Sequence, residues 1–218
     1  YNISHELRTP LSAIITELEL SRQKDLSKVE YRQVIERTLQ DAKRLAKLST
    51  DLLDIAKANY NSAQIAMHKV RLDELLIEVC NKVQKSNSEY TVQLHFDKNF
   101  DDERLISLLG NEYLLGVAFS NLIENGCKFS TDKTCEVHIS YENEFVIIRI
   151  IDHGIGITPE DQQLIFTPFY RGNNRNFASG NGIGLALSRK IIEIHNGNIA
   201  LESSPGFTAF AVQLKNLL

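Results

Sequence analysis

Apolar residues recur at Ile3, Leu7, Leu11, Ile14 and Leu18, the three-and-four spacing that lines one stripe of a helix. The pattern predicts a first helix from Asn2 to Lys24, broken by the polar stretch Asp25 to Lys28. Ser27 is a candidate N-cap for a second helix, with Glu30 in its first turn. That helix carries Ile35, Ala42, Leu45, Leu48, Leu52 and Ile55 at intervals of three, four or seven. Two helices with one apolar stripe each cannot close a core alone. Either a second copy completes a four-helix bundle, the economical solution for heptad-like spacing, or the hairpin packs on the rest of the chain. The opposite stripe of the first helix is polar: His5, Arg8, Thr9, Ser12 and Thr16. His5, with Glu6 beside it, therefore faces away from the apolar stripe. Pro10 removes the N–H bond to the Glu6 carbonyl and predicts a kink one turn beyond His5.

The pattern changes after Ala58. Asn59 to Lys69 is polar and irregular and reads as a linker. A helix over Leu72 to Gln84 follows, then an alternating strand at Val92, Leu94 and Phe96. A long helix spans Glu112 to Lys128. Strands follow at Val137 to Tyr141 and along the nearly continuous apolar run Phe145 to Ile151. After a short helix near Pro159 to Ile165, a third helix runs from Ile183 to His195 and stops at Asn196-Gly197. Strands at Ile199 to Leu201 and Phe210 to Leu214 close the chain. Helices and strands mix without strict alternation, which favours a two-layer α/β sandwich over a doubly wound sheet. The expected division is a helical domain at 1–60, a linker at 61–69 and a mixed domain at 70–218.

Bulk properties narrow the partners. A net charge of -4 gives no general attraction to nucleic acid or to an anionic membrane, so contact with neither is expected. No apolar run reaches the length of a membrane span, and no signal peptide is visible. Cys80, Cys127 and Cys135 lack metal-ligand spacing and sit in apolar patterns, which predicts buried, reduced thiols in a cytoplasmic setting. Tyr1-Asn2 opens directly onto a helix without a cap, so the sequence reads as part of a longer chain. Outside the first helix the histidines receive plain readings. His68 lies in the linker, and His95 and His138 face solvent between apolar strand positions. His195 ends a helix, where a cation favours the macrodipole. No pair of histidines has metal-ligand spacing.

Three segments carry candidate chemistry. Asn121, Asn125 and Lys128 share one helix face. An amide oxygen suits a hard cation such as Mg²⁺ and a lysine suits phosphate, although the same face could simply be solvated. Asp152-His153-Gly154-Ile155-Gly156-Ile157 puts a carboxylate at a strand end beside glycines. That arrangement suits an amino-bearing heterocycle such as adenine, and it is also ordinary turn chemistry. Gly180-Asn181-Gly182-Ile183-Gly184-Leu185 precedes a helix whose N-terminal N–H groups suit an anion. It matches neither a Walker loop nor a dinucleotide fingerprint.

Together these segments resemble the catalytic core of sensor histidine kinases of two-component signalling. Ser4 to Leu11 is similar to the H box, Asn121 to Ser130 to the N box and Asp152 to Ile157 to the G1 box. Phe166 to Arg171 is similar to the F box, and Gly180 to Leu187 to the G2 box. The resemblance implies an α+β chain: a helical hairpin forming a dimeric four-helix bundle, then a Bergerat-type ATP-binding sandwich. It implies ATP and Mg²⁺ as cofactors. The partners implied are a second copy of the chain and a response-regulator receiver domain, separate or fused. The kinase core would be cytoplasmic and the full-length protein anchored in the bacterial inner membrane.

By the same resemblance His5 accepts phosphate, Glu6 is its general base and Thr9 orients a water that dephosphorylates the regulator. Asn125 holds Mg²⁺, while Asn121 and Lys128 face the phosphates. Asp152 bonds the adenine amino group, with Gly154, Gly156 and Ile157 beside it. Gly180, Gly182, Ile183, Gly184 and Leu185 form the base of a lid running from Gly172 to Asn181. Phe166 and Phe169 anchor that lid. The turn at Gly206-Phe207-Thr208 lacks the family's second glycine, which leaves a peripheral contact through Thr208. Asn121 stands where related hydrolysing ATPases resemble one another in carrying a water-activating glutamate, and an amide cannot be that base. A hydrolysing ATPase and a non-catalytic dimeric scaffold are the competing readings.

Overall fold

Ser27 and Glu30 exchange hydrogen bonds across one helical turn, Ser27 N–H to Glu30 Oε2 at 2.8 Å and Glu30 N–H to Ser27 Oγ at 3.3 Å. This reciprocal capping box starts the second helix where the spacing predicts it. The computed structural model describes residues 3–59, 65–97, 100, 102–172 and 181–217, without the side chains of 3–6, 51 and 55–59. The chain divides into two compact units, Tyr1–Ala56 and Lys57–Leu218.

The first unit is the hairpin of α1 (Ile3–Gln23) and α2 (Lys28–Asn59). α1 runs as one helix through Pro10. An ion pair, Arg37 Nε to Glu17 Oε1 at 2.6 Å, clasps the two helices. Val34 and Leu48 are buried in the hairpin. Leu11, Ile15, Leu18, Ile35, Leu39 and Leu53 nevertheless stay 46–62% exposed, so packing of the two helices on each other leaves much of the hairpin's apolar surface uncovered.

The second unit is a two-layer sandwich. Its elements are β1 (His68–Arg71), α3 (Leu72–Ser86), β2 (Thr91–Phe96), a 3-10 turn at Glu103–Ile106, β3 (Ser107–Gly110), α4 (Glu112–Phe129), β4 (Ser130–Glu142), β5 (Phe145–Gly154), α5 (Pro159–Gln162), α6 (Gly184–Ile194), β6 (Asn198–Ser204) and β7 (Phe207–Lys215). Five strands form one sheet in the order β2-β4-β5-β7-β6. β2 and β4 run parallel and the other neighbours antiparallel. A parallel pair needs a long crossover, and α4 lies within it. β1 and β3 form a separate antiparallel pair, His68 opposite Gly110 and Lys69 opposite Leu109. His68 and Lys69 therefore belong to a strand and not to an irregular linker.

Helices α3, α4 and α6 pack on one another and on one sheet face. Leu115, Phe119 and Leu122 of α4, Leu187 and Ile191 of α6, and Val137, Ile148 and Val212 of the sheet are fully buried between the layers. β5 alternates through its length, with Val146, Ile148, Ile150 and Asp152 inward and Arg149 and His153 exposed on the other face. The strand predicted to end at Ile151 continues to Gly154, which carries Asp152 into the helix-facing layer.

His195 also differs from its sequence reading. It is buried, its Nε2 accepts from the Asn111 N–H at 2.9 Å, and its Nδ1 donates to the Ile191 carbonyl at 2.7 Å. Burial pulls its pKa below the ordinary value, outweighing the Ile191 bond. It is a neutral ring tying α6 to the start of α4, not a macrodipole cation. The three cysteines are free and buried, and burial pushes the Cys80 thiol up to about 12. No helix among the described residues is long and apolar enough to cross a membrane.

Candidate nucleotide site

The inward register of β5 leaves Asp152 only 5% exposed. A carboxylate taken from water disfavours its charge, and burial pushes Asp152 up to about 6. The Gly154 N–H, bonded to Asp152 Oδ1 at 3.1 Å, and the neighbouring His153 pull less strongly the other way. Gly154 has no room for a side chain. A Cβ there would stand 2.2 Å from the Phe129 carbonyl oxygen and 2.7 Å from Asp152 Oδ1. Gly156 has φ +74, and a Cβ would meet the Ser204 carbonyl oxygen at 2.3 Å. These glycines let the strand end and its loop lie against α4 and β6.

Sheet register sets a row of polar groups beside that carboxylate. Thr208 of β7 pairs with Asp152, and Ser203 of β6 pairs with Thr208. The two hydroxyls lie 3.0 Å apart, and Ser203 Oγ accepts from the Ile157 N–H at 2.9 Å. Thr208 is buried, so the contact expected to be peripheral lies in the row of Asp152. Sequence reasoning missed Ser203. Its placement depends on the β6–β7 pairing, which no local spacing announces.

Helix α4 approaches from the other layer. A Cβ on Gly126 would come 3.8 Å from Asp152 Cβ. Asn121 is 6% exposed, and its Nδ2 is buried without a hydrogen-bond partner, one of two such side-chain atoms among the described residues. An unpaired buried amide costs on the order of 1–3 kcal/mol, so a donor held this way fits an acceptor arriving from outside, as a phosphate oxygen does. A Cβ on Gly184 would lie 3.4 Å from Asn121 Cγ, so the first residue of α6 stands beside this amide. The N-cap residue of α6, Ile183, has no side-chain hydrogen bond to offer it. The first-turn N–H groups of the helix thus keep the capacity for an anion. Asn125 is half-buried one turn along α4 from Asn121. Its amide oxygen suits a hard cation, and Mg²⁺ fits that donor together with phosphate and water. Lys128 is half-buried, with Nζ 5.5 Å from the Phe129 ring centroid.

The segment before α6 is tied at both ends. The Phe169 N–H donates to the Gly182 carbonyl at 2.7 Å, and Tyr170 OH donates to Asp161 Oδ1 at 2.6 Å. A Cβ on Gly172 would meet Asp161 Oδ2 at 2.5 Å. Phe166 packs edge-on against Phe210 at 6.3 Å, with the Arg189 guanidinium 5.2 Å from its ring centroid. The structure sets Asp152, Gly154 and Thr208 together at the strand ends, and Asn121 beside Gly184 at the start of α6. The Ile183 side chain is fully buried in the core, so this position offers a ligand its backbone. Leu185 is half-buried in the first turn of α6. Gly180 lies outside the described residues, as does most of the expected lid. His5 and Glu6 lie in the first turn of α1, and their side chains are outside the described part. Thr9 is exposed on the same helix.

Comparison with known proteins identifies both parts of the chain. Residues 1–61 match the family described as "His Kinase A (phospho-acceptor) domain". Residues 110–217 match "Histidine kinase-, DNA gyrase B-, and HSP90-like ATPase". Among curated relatives, the probable sensor protein PcoS of Escherichia coli is 29% identical over 218 residues, covering 98% of this chain and 45% of that protein. The heme sensor protein HssS of Staphylococcus saprophyticus is 31% identical over 220 residues, covering 99% and 46%. The chain thus spans less than half the length of these relatives. Among solved structures, the Acinetobacter baumannii histidine kinase AdeS superposes with a TM-score of 0.73 at 18% identity, covering 97% of this chain and 98% of that one. Histidine kinase ThkA, solved in complex with response regulator protein TrrA, gives 0.75 at 18% identity, covering 98% and 60%. These likenesses show a shared fold. With both domains matched in sequence and in order, the chain belongs to the sensor histidine kinases of two-component signalling and carries an ATP-binding domain of that family.

Proposed function

We propose that ATP held against Asn121, Asp152 and the N-terminus of α6 phosphorylates His5, and that the phosphoryl group then passes to an aspartate of a receiver domain. The observation that carries the nucleotide half is the buried, unpartnered Asn121 amide beside Gly184. Asp152, when ionised, accepts from the adenine amino group. Gly154, Gly156, Ile157 and Thr208 shape that end of the pocket. Lys128 and the backbone of Gly180, Gly182, Ile183, Gly184 and Leu185 serve the phosphates. Asn125 holds Mg²⁺ through its amide oxygen, and the ion when bound neutralises phosphate charge.

In the chemical step a neutral His5 ring nitrogen bonds to the γ-phosphorus as the bond from phosphorus to the ADP oxygen breaks. The other ring N–H proton passes to Glu6. Positioning and charge neutralisation supply most of the barrier reduction in phosphoryl transfer. Asn121 is an amide and cannot activate water, which reserves the phosphoryl group for His5. Thr9, one turn from His5, is the position that would orient a water in the reverse, dephosphorylating reaction.

The functional division is a phosphoacceptor domain at 1–60 and, after a short connection, a catalytic domain that begins with β1 at His68 and runs to 218. The exposed apolar residues of the hairpin support a homodimer, because a second copy covers them at about 25 cal/mol for each Å² buried. The receiver partner is supported by the response regulator in the ThkA complex. The core belongs in the cytoplasm, with the full-length protein anchored in the inner membrane. Incubation with Mg²⁺ and γ-labelled ATP tests the reading. Acid-labile, alkali-stable label on the protein, absent from His5→Gln, is the expected result. Free phosphate without protein label would instead identify a hydrolysing ATPase, and neither product a scaffold.

A further inference from the structure

Three of the chain's six histidines gather around one carboxylate on the outer face of the large sheet. His95 and His138 are direct partners on the parallel strands β2 and β4, and their rings stack with centroids 4.6 Å apart. Glu136 precedes His138 by two residues and so shares its face. Its Oε2 lies 3.3 Å from His138 Nε2, and its Oε1 lies 3.5 Å from His153 Nε2. One ligand atom from each of His95, Glu136 and His138 falls within 4.8 Å of the others. This face is the side of the sheet away from the helices, so the cluster is separate from the nucleotide pocket.

We propose that His95, Glu136 and His138, with His153 within reach of Glu136, form a binding site for a divalent transition ion of the zinc class. Two distances carry the assignment. Tetrahedral zinc with bonds of about 2.0–2.1 Å holds its ligand atoms roughly 3.4 Å apart, and His138 Nε2 and Glu136 Oε2, in hydrogen-bond contact at 3.3 Å, are close to that spacing, so an ion would replace the shared proton. The far ring nitrogen of His138 is held by Asp97, Nδ1 to Oδ1 at 2.9 Å. A carboxylate on Nδ1–H fixes the tautomer that turns the Nε2 lone pair toward an ion, and it raises the basicity of the ligand. His95 is exposed, so its ring has room to turn from its stack on His138 toward an ion. The charge is favourable too. Glu136 and Asp97 face the cluster, whereas Arg149, opposite His138 on β5, is directed to Glu202 at 3.8 Å. Imidazole nitrogens select zinc, copper or nickel over Mg²⁺, which distinguishes this site from one built on Asn125.

Binding would cross-link β2 and β4 and, through His153, β5. His153 directly follows Asp152, so an occupied site lies one residue from the nucleotide carboxylate across the sheet. The test needs no kinase activity and stands apart from the reading above. The reduced protein is titrated with Zn²⁺ against a chromophoric chelator, and separately with Co²⁺ while its visible spectrum is recorded. One equivalent is expected to bind and to raise the melting temperature. His95→Asn and His138→Asn are each expected to weaken Zn²⁺ binding at least about tenfold, and Asp97→Asn about tenfold as a positioning residue. Should a variant melt lower without metal, the Co²⁺ spectrum of the wild type decides, because nitrogen and oxygen ligands give no sulfur-to-cobalt charge-transfer band. A thiolate band, the lack of saturable binding at one equivalent, or undiminished affinity in both histidine variants would overturn the proposal.

Discussion

Asp152→Asn is expected to make the nucleotide-free protein more stable while it damages nucleotide binding. Burial holds the Asp152 carboxyl at about 6 against an ordinary 3.8. At about 1.4 kcal/mol for each tenfold change in proton affinity, keeping that group ionised at pH 7 costs up to about 3 kcal/mol. The folded value lies above the unfolded one, so the folded carboxyl holds a proton that the unfolded one has shed. Its contribution is therefore most favourable below about pH 4 and is lost as pH rises through about 6. Asparagine keeps an oxygen for the Gly154 N–H and carries no charge, but its new Nδ2 needs a partner, at a cost of about 1 kcal/mol or more. The net gain at pH 7.5 is about 1–2 kcal/mol, roughly 3–6 °C for a unit of this size. Thermal melts of both proteins from pH 4.5 to 8, without nucleotide, measure it. The gap in melting temperature is expected to be widest above pH 7 and to shrink below pH 6. ATP affinity is expected to fall about 10–100-fold in the variant, the value of a hydrogen bond to a charged acceptor. A gap that is absent at pH 7.5, or that stays constant across the range, would refute the assignment of buried charge at this position.

Gly154→Ala places a Cβ 2.2 Å from the Phe129 carbonyl oxygen, a backbone atom that cannot swing aside. It is expected to destabilise the protein by about 1–3 kcal/mol and to weaken ATP binding, read by chemical unfolding and calorimetry. An alanine variant with wild-type stability would contradict the close packing of β5 on α4. Ser188 Oγ lies within reach of the Gly184 and Ala118 carbonyls, at 2.9 and 3.1 Å, and so tethers the first turn of α6 to α4. Ser188→Ala is expected to cost about 1 kcal/mol in urea unfolding. A neutral result would mean that apolar packing alone sets the approach of α6 to Asn121.

The capping box at Ser27 and Glu30 was legible because both partners lie within one turn, and the helical periods gave α3, α4 and α6 to within a few residues. The five motifs were legible as ordered spacings. What escaped the sequence depends on contacts between distant segments. His195 reads locally as a helix-end cation, but packing of α6 against the start of α4 buries it and gives its Nε2 the Asn111 N–H. Thr208 and Ser203 acquire their place beside Asp152 only through the β5–β7–β6 register. The histidines around Glu136 are spread over residues 95 to 153, and only the parallel placement of β2 beside β4 makes neighbours of His95 and His138. The pair β1 and β3 escaped because four-residue strands are too short for alternation to stand out.

The central claim is that one histidine, His5, receives phosphate from ATP bound in the Asp152 pocket. Mapping the phosphorylated residue by electron-transfer mass spectrometry at neutral pH, after incubation with ATP and Mg²⁺, tests it most directly. The account predicts phosphate on His5 and on no other histidine, with the signal reduced at least about tenfold in Asp152→Asn at limiting ATP. Phosphate on another histidine, or undiminished phosphorylation of His5 in Asp152→Asn, would contradict it.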